Sequence, residues 1–165
     1  MDDTLHSDTH IGHVHLKVSD LERAVDFYTN VLGFELTDRY GTEAAFLAAG
    51  GYHHHIALNT WESKGAPPGP RRAPGLYHFA VLYPDRRALA TAVQRLVDKG
   101  WPISGVADHG VSEAIYLADP DGNGIELYRD RPKEEWPRDG EGSIKMVSDP
   151  LDLKGLLAEL AGQSG

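Results

Sequence analysis

The chain has 165 residues, a formal net charge of −9 and a hydrophobic fraction of 41%, which suits one packed domain or two small modules sharing a core. The negative charge argues against nucleic acid or an anionic membrane surface as partner, and the lack of cysteine excludes disulfides, thiolate metal sites and a cysteine nucleophile. No run approaches the length of an apolar membrane span, and the start MDDTLHSDTH has no apolar segment, so the chain reads as a cytoplasmic protein without a secretory signal.

Residues 1–9 read as a polar tail. HIGHVHLKV (10–18) alternates polar and apolar residues and predicts a strand. In SDLERAVDFYTNVLG, residues Leu21, Ala24, Val25, Tyr28, Val31 and Leu32 recur at helical spacing. Ser19, three residues before Glu22, suggests a capping box, and Gly33 suits the position just past the helix end. FELTDRY, EAAFLAAG and HHHIALNTW then read as strands that close a first module over 10–61. ESKGAPPGPRRAPG is too rich in Pro and Gly for regular structure, so 62–75 is a linker loop. After it the pattern restarts. LYHFAVLYP predicts a strand, and DRRALATAVQRLVDKG a helix with Leu89, Ala92, Val93, Leu96 and Val97 on one face and Gly100 at its end. WPISGVADHG, SEAIYLADP and GNGIELYRD predict three more strands and complete a second module over 76–130. The extension 131–165 is a charged, Pro- and Gly-containing linker followed by DPLDLKGLLAELAG, a short Leu-rich helix expected to dock, to contact a dimer partner or to fray.

The second half repeats the first. His13 and His78 stand 65 residues apart, as do Asp20 and Asp85, and EAAFL stands 70 residues before EAIYL. This predicts an α+β fold of tandem βαβββ modules whose curved sheets form one shared metal-binding cleft. His13 and His78 occupy matching first strands, and Glu126 lies in the last strand. An offset of 70 maps Glu126 onto the apolar Ile56. Two imidazoles and a carboxylate on one side of an ion make a facial triad with open positions opposite. That suits non-haem Fe(II) handling O₂ and substrate together, and Mn(II) accepts the same ligands. The triplet His53, His54 and His55 reads as a metal cluster, a catalytic base or a polar strand end.

IGHVHLKVSDLERAVDFYTNVLGFEL, GLYHFAVL and YLADPDGNGIELYRDRP resemble the vicinal oxygen chelate superfamily over roughly residues 9–132. That superfamily contains glyoxalase I, bleomycin-resistance proteins and extradiol dioxygenases. The resemblance is best to short, catechol 2,3-dioxygenase-like extradiol enzymes. It implies Fe(II) on His13, His78 and Glu126, and a catechol-type aromatic substrate with O₂. The Glu that glyoxalase I carries as a fourth ligand is replaced by Ile56, which weighs against a glyoxalase-type isomerase or lyase; a His55 ligand keeps that alternative open. A non-catalytic drug-binding resistance protein is the other alternative. The motif H-x-I-A of extradiol enzymes falls on His54, implying a general base and acid. Period-2 alternation places His54 and Ile56 on the site face, with His53 and His55 turned away. Tyr116, ten residues before Glu126, matches the tyrosine that supports the bound catecholate, and His109 matches a histidine that hydrogen-bonds substrate or oxygen. His15 is expected to be structural, and Trp61 with the 62–75 loop to lie at the mouth. A homodimer or higher homo-oligomer is compatible with this reading.

Overall fold

The computed structural model describes residues 4–70 and 72–161; residues 1–3 of the expected tail, Arg71 of the linker and residues 162–165 of the extension lie outside the described residues. Two four-stranded sheets carry the fold. The first contains β1 (Val14–Lys17), β2 (Glu35–Tyr40), β3 (Ala44–Ala48) and β4 (Ile56–Asn59) in the order β1-β4-β3-β2. The second contains β5 (Phe79–Leu82), β6 (Gly105–Asp108), β7 (Ser112–Ala118) and β8 (Gly124–Asp130) in the order β5-β8-β7-β6. In each sheet the first and last strands pair in parallel and the others antiparallel. The parallel pairing requires a long crossover in each module. Helix α1 (Leu21–Asp26), prolonged by a π-helical turn (Phe27–Val31), begins the first, and α2 (Arg86–Asp98) the second. The chain is therefore α+β, built from two βαβββ modules. No helix among the described residues is long and apolar enough to cross a membrane.

The two helices start alike. Asp20 accepts from the Arg23 N–H (3.1 Å) and Asp85 from the Ala88 N–H (2.7 Å), each cap contributing about 1 kcal/mol. The expected Ser19–Glu22 capping box does not form. Asp20 takes the cap because its carboxylate reaches the free N–H, Ser19 accepts from the Arg23 guanidinium (2.9 Å), and Glu22 is drawn to Arg39 (2.6 and 3.0 Å). Gly33 follows the first helix at φ +88°, where any side chain would also strike the Arg95 guanidinium.

Each sheet buries one face against its helix. Leu16, Val18, Leu47, Ile56 and Leu58 join Leu21 and Val25, and Ile115, Leu117, Ile125 and Leu127 join Leu89, Val93 and Leu96, in one continuous apolar core. The modules meet through the first helix. Phe27 packs on Trp101 (ring centroids 4.6 Å), Arg23 pairs with Asp121 (2.6 Å), and Arg95 donates to the Leu32 carbonyl (2.7 Å). The Tyr28 hydroxyl donates to Asp119 (3.0 Å); burial and the Asp119 carboxylate push its phenol far up, so it stays a neutral donor. The opposite faces of the sheets, with the edge strands β1 and β5, are left open: His13, His15, Lys17, Ala80 and Leu82 are exposed.

The C-terminal extension folds back on its own chain. Asp149 exchanges two backbone hydrogen bonds with Asp108 (2.9 Å each), and α3 (Leu153–Ala158) buries Leu156. Arg86 and Arg87 of α2 reach the Gly155 carbonyl (3.2 Å), the Glu159 carboxylate (2.6 Å) and the Glu159 carbonyl (2.8 Å). The helix thus docks on α2 of its own chain, one of the expectations for it.

Candidate metal centre

The open face of the second sheet carries one group of candidate residues. Pairing sets Ala80, Glu126 and Tyr116 side by side across β5, β8 and β7. His78 precedes β5, and its Nε2 lies 2.9 Å from Glu126 Oε2. Gly124 is required at this point, because a side chain there would strike the Tyr77 carbonyl and His78. The Tyr116 hydroxyl lies 3.2 Å from Glu126 Oε1 and 2.8 Å from His109 Nε2. His109 Nδ1 lies 2.8 Å from the Val147 carbonyl. A carbonyl only accepts, so Nδ1 carries a proton, and in the neutral ring Nε2 accepts from Tyr116. With the ring protonated at both nitrogens, Nε2 donates instead and frees the phenol proton for Glu126. Burial and the Glu126 carboxylate push the Tyr116 phenol up to about 12, so it is neutral at working pH. His78 and Tyr116 line a cavity of about 530 Å³ with Tyr77, Gly105 and Gly124.

The open face of the first sheet carries the second group. The exposed His13 ring lies 4.6 Å from that of His54, and His54 lies 5.2 Å from Phe46. His53 and His54, with Nδ1 atoms 2.8 Å apart, line a cavity of about 420 Å³ with Thr37, Asp38 and Phe46. Burial, reinforced by the neighbouring imidazoles of His13, His53, His15 and His55, lowers His54 below the ordinary histidine value, which favours the neutral base. His15 accepts from the Asn59 amide (2.9 Å) and meets Trp61 edge-on (5.6 Å), as a structural histidine would. Trp61 itself is exposed.

Two sequence expectations need correction. The histidine triplet precedes β4 instead of lying in it, so strand alternation does not run through it. His53 consequently shares the cavity of His54, while His55 turns onto Tyr52 (4.7 Å) and accepts from the Ala49 N–H (3.3 Å). The place equivalent to Glu126 is Ala57, not Ile56: Phe46 pairs with Ala57 as Tyr116 pairs with Glu126. From Phe46 to Ala57 is 11 residues, but from Tyr116 to Glu126 only 10, so one extra residue in the first module's hairpin shifts the offset to 69. Ile56 and Ile125, each 1% exposed, are both core residues. The fourth place remains without an acid.

The six candidates therefore form two clusters: His78, Glu126, Tyr116 and His109 in one, His13 and His54 in the other. Among the described residues no three His, Asp or Glu come together as a ready-made group. The donor chemistry nonetheless fits a borderline divalent ion. Two donors each about 2.1 Å from an octahedral ion stand about 3 Å apart, close to the His78–Glu126 spacing of 2.9 Å. Phe46 escaped the sequence reading, although it is the repeat mate of Tyr116 in EAAFL and EAIYL. Val147 left no sequence signal.

Residues 10–127 match the family described as the Glyoxalase/Bleomycin resistance protein/Dioxygenase superfamily. The chain belongs to this superfamily. As a superfamily member it is 46% identical over 157 residues to catechol-2,3-dioxygenase of Bacillus subtilis (strain 168), covering 94% of this chain and 54% of that one. It is 34% identical over 127 residues to biphenyl-2,3-diol 1,2-dioxygenase 3 of Rhodococcus globerulus, covering 73% and 63%. The chain thus spans less than two thirds of the length of these relatives. The crystal structure of a glyoxylase/bleomycin resistance protein/dioxygenase domain from Frankia sp. EAN1pec matches with a TM-score of 0.62 at 22% identity, over 76% of this chain and all of that one, a likeness of fold.

Proposed function

We propose that the protein is an extradiol dioxygenase that opens the ring of a catechol with O₂, using Fe(II), or Mn(II) in its place, held by His13, His78 and Glu126. The observation that carries this reading is the arrangement around Glu126. A carboxylate and an imidazole are set 2.9 Å apart, with a neutral phenol and a second imidazole hydrogen-bonded in line behind them. The dioxygenase relatives support it. When bound, the ion supplies a common centre at which catechol and O₂ meet and exchange electrons.

The chain's own residues handle protons and position. His54, held neutral, accepts the phenolic proton of the catechol and later returns it. Tyr116 sets its hydroxyl beside Glu126 at the bound ring, and His109, oriented by the Val147 carbonyl, holds that hydroxyl in place. Both atoms of O₂ enter the product, a ring-opened hydroxymuconic semialdehyde or its analogue, so no outside reductant is needed. The cavity beside His78 is lined by the Tyr77 and Tyr116 rings and by Gly105 and Gly124, whose missing side chains leave room for a flat ring. The glyoxalase-type alternative asks for a fourth acidic ligand, and Ala57 stands in that place.

The test is anaerobic reconstitution with Fe(II), addition of 4-methylcatechol and related catechols, and measurement of O₂ uptake with the yellow ring-opened product. Uptake matching product one to one is expected. No uptake across the panel refutes the assignment.

A further inference from the structure

We propose that the C-terminal extension is a working part of the site: residues 137–149 form a strap that clamps the β6–β7 turn and holds the His109 proton on Nδ1, so that the Tyr116 proton points to His109 and away from Glu126. The strap lies outside residues 10–127, which match the superfamily. Its effect on proton placement stands on geometry alone; its effect on turnover rests on the dioxygenase reading.

The strap grips the turn at three successive residues. Asp108 and Asp149 exchange two backbone hydrogen bonds (2.9 Å each). The Val147 N–H donates to the His109 carbonyl (3.1 Å), and His109 Nδ1 donates back to the Val147 carbonyl (2.8 Å). One residue thus ties His109 through both its backbone and its ring. Gly110, at φ +74°, lets the strap lie close: a Cβ there would stand 2.6 Å from Pro137 Cγ and 3.2 Å from Val147 Cγ2. The strap is itself a hairpin, closed by the Lys145 N–H on the Pro137 carbonyl (2.8 Å) and by the Arg138–Ile144 bridge. Both its ends are fixed. On one side the Trp136 indole donates to the Arg131 carbonyl (2.8 Å). On the other, Leu151 and Leu156 are buried and Arg86 and Arg87 hold Glu159.

The consequence falls on Tyr116. Its hydroxyl has one proton and two acceptors in reach, His109 Nε2 at 2.8 Å and Glu126 Oε1 at 3.2 Å. Which nitrogen of a neutral imidazole carries the proton is set by the partner of the other nitrogen. The Val147 carbonyl can only accept, so it fixes the proton on Nδ1 and leaves Nε2 bare for the phenol. Without that carbonyl the ring is free to carry its proton on Nε2. Nε2 then donates to the Tyr116 oxygen, and the phenol proton turns onto Glu126. The strap therefore keeps Glu126 Oε1 open through His109. The first module offers the contrast. Phe46, the repeat mate of Tyr116, has no hydroxyl to direct, the turn between β2 and β3 holds no histidine, and β2 is exposed throughout. Among the described residues the strap sits on the module that has a phenol to orient.

The test uses the full chain and Val147→Pro, which removes the N–H that ties the strap to the His109 carbonyl. Long-range ¹H–¹⁵N spectra of the metal-free protein, recorded at about pH 8 where an ordinary histidine is neutral, report which nitrogen of His109 is protonated. Wild type should show the Nδ1–H form, and Val147→Pro a shift toward the Nε2–H form. Val147→Ala, which keeps both backbone groups, should retain the wild-type signature. With Fe(II) and 4-methylcatechol, Val147→Pro should lower kcat about tenfold with KM changed less than about twofold. In a Tyr116→Phe background the same change should cost less than about twofold, since there is no hydroxyl left to direct. Wild type in the Nε2–H form overturns the inference. So does a folded Val147→Pro with an unchanged signature, or a full further loss of kcat on top of Tyr116→Phe. If circular dichroism shows Val147→Pro unfolded, Asp149→Pro, which removes the N–H donated to Asp108, takes its place with the same expectations. A wild type without O₂ uptake overturns only the dioxygenase reading, and the His109 signatures still decide the role of the strap.

Discussion

Glu113 offers the sharpest test of how the second sheet holds the candidate site in shape. Its carboxylate is 3% exposed and accepts from Arg129 Nε (2.8 Å), Arg86 Nε (3.1 Å) and Arg131 Nη2 (3.4 Å). Glu113 is the cross-strand partner of Arg129 in the same β7–β8 ladder that pairs Tyr116 with Glu126. Glu113→Gln keeps the shape and one acceptor but turns an amide N–H₂ toward guanidinium groups. Removing one partner of a buried ion pair costs about 3–5 kcal/mol. The low end applies here, because Arg86 keeps Glu159 and Arg131 keeps Asp108; only Arg129 is left with a backbone carbonyl at 3.3 Å. A cost of about 3 kcal/mol lowers Tm by about 6–12 °C in a chain of this size. Calorimetric or circular-dichroism melts at pH 7 read this directly. A loss below about 2 °C would show that the cluster is solvated and does not bind the strands together. Replacing Glu113 and Arg129 together by apolar residues should recover part of the loss, since the penalty lies in the unpaired charge.

Tyr116→Phe removes the hydroxyl between His109 and Glu126 and should lower kcat about 10- to 100-fold with Mn(II) or Fe(II) content near wild type; loss of most of the metal would make Tyr116 part of what holds the ion. His54→Ala should lower kcat by about 10²-fold or more while metal content stays intact, as expected for a proton-transfer residue; equal turnover in the variant removes His54 from the mechanism. At Asp108, burial pulls the carboxyl up, but hydrogen bonds from Arg131 and the Gly110 N–H outweigh it and hold the carboxyl below its ordinary value. A folded-state value below the unfolded one adds stability above the unfolded value, and that stability is lost as pH falls through the lower, folded one. Asp108→Asn should therefore flatten the fall of Tm as pH drops below the ordinary carboxylate range; an unchanged acid slope would place the sensitivity elsewhere.

Much of this architecture could be read without coordinates, because each element keeps one regular apolar period over its own length. The helices show one stripe each, and Asp20 and Asp85, which the repeat aligned, are the caps of both helices. Reading failed where it carried a rule past the element that justifies it. Strand alternation ran into His53–His55, which are not in a strand, and misplaced His53; His54 nevertheless reached the open face beside His13 and Phe46. A repeat offset valid for EAAFL and EAIYL was applied across a hairpin one residue longer in the first module, and in a strand one residue exchanges the core face for the open face. That is why Ile56 stood where Ala57 belongs. The partner of His109 was beyond reach because Val147 acts through its carbonyl, which every residue possesses.

Periodicity is silent on a larger question. Alternation within a strand does not say which faces of the two modules meet. The decision rests on contacts that look ordinary in sequence: an aromatic after the first helix, a tryptophan after the second, and the aspartates of a DPDGN turn. Tyr28 is deeply buried, and its hydroxyl needs the partner that Asp119 provides. Turning the first module over to meet β5 of its own chain would strip that hydroxyl of its acceptor, expose Phe27 and unpair Arg23. Each loss of a buried partner costs about 1–3 kcal/mol. The intrachain contact therefore holds the first helix firmly against the second module.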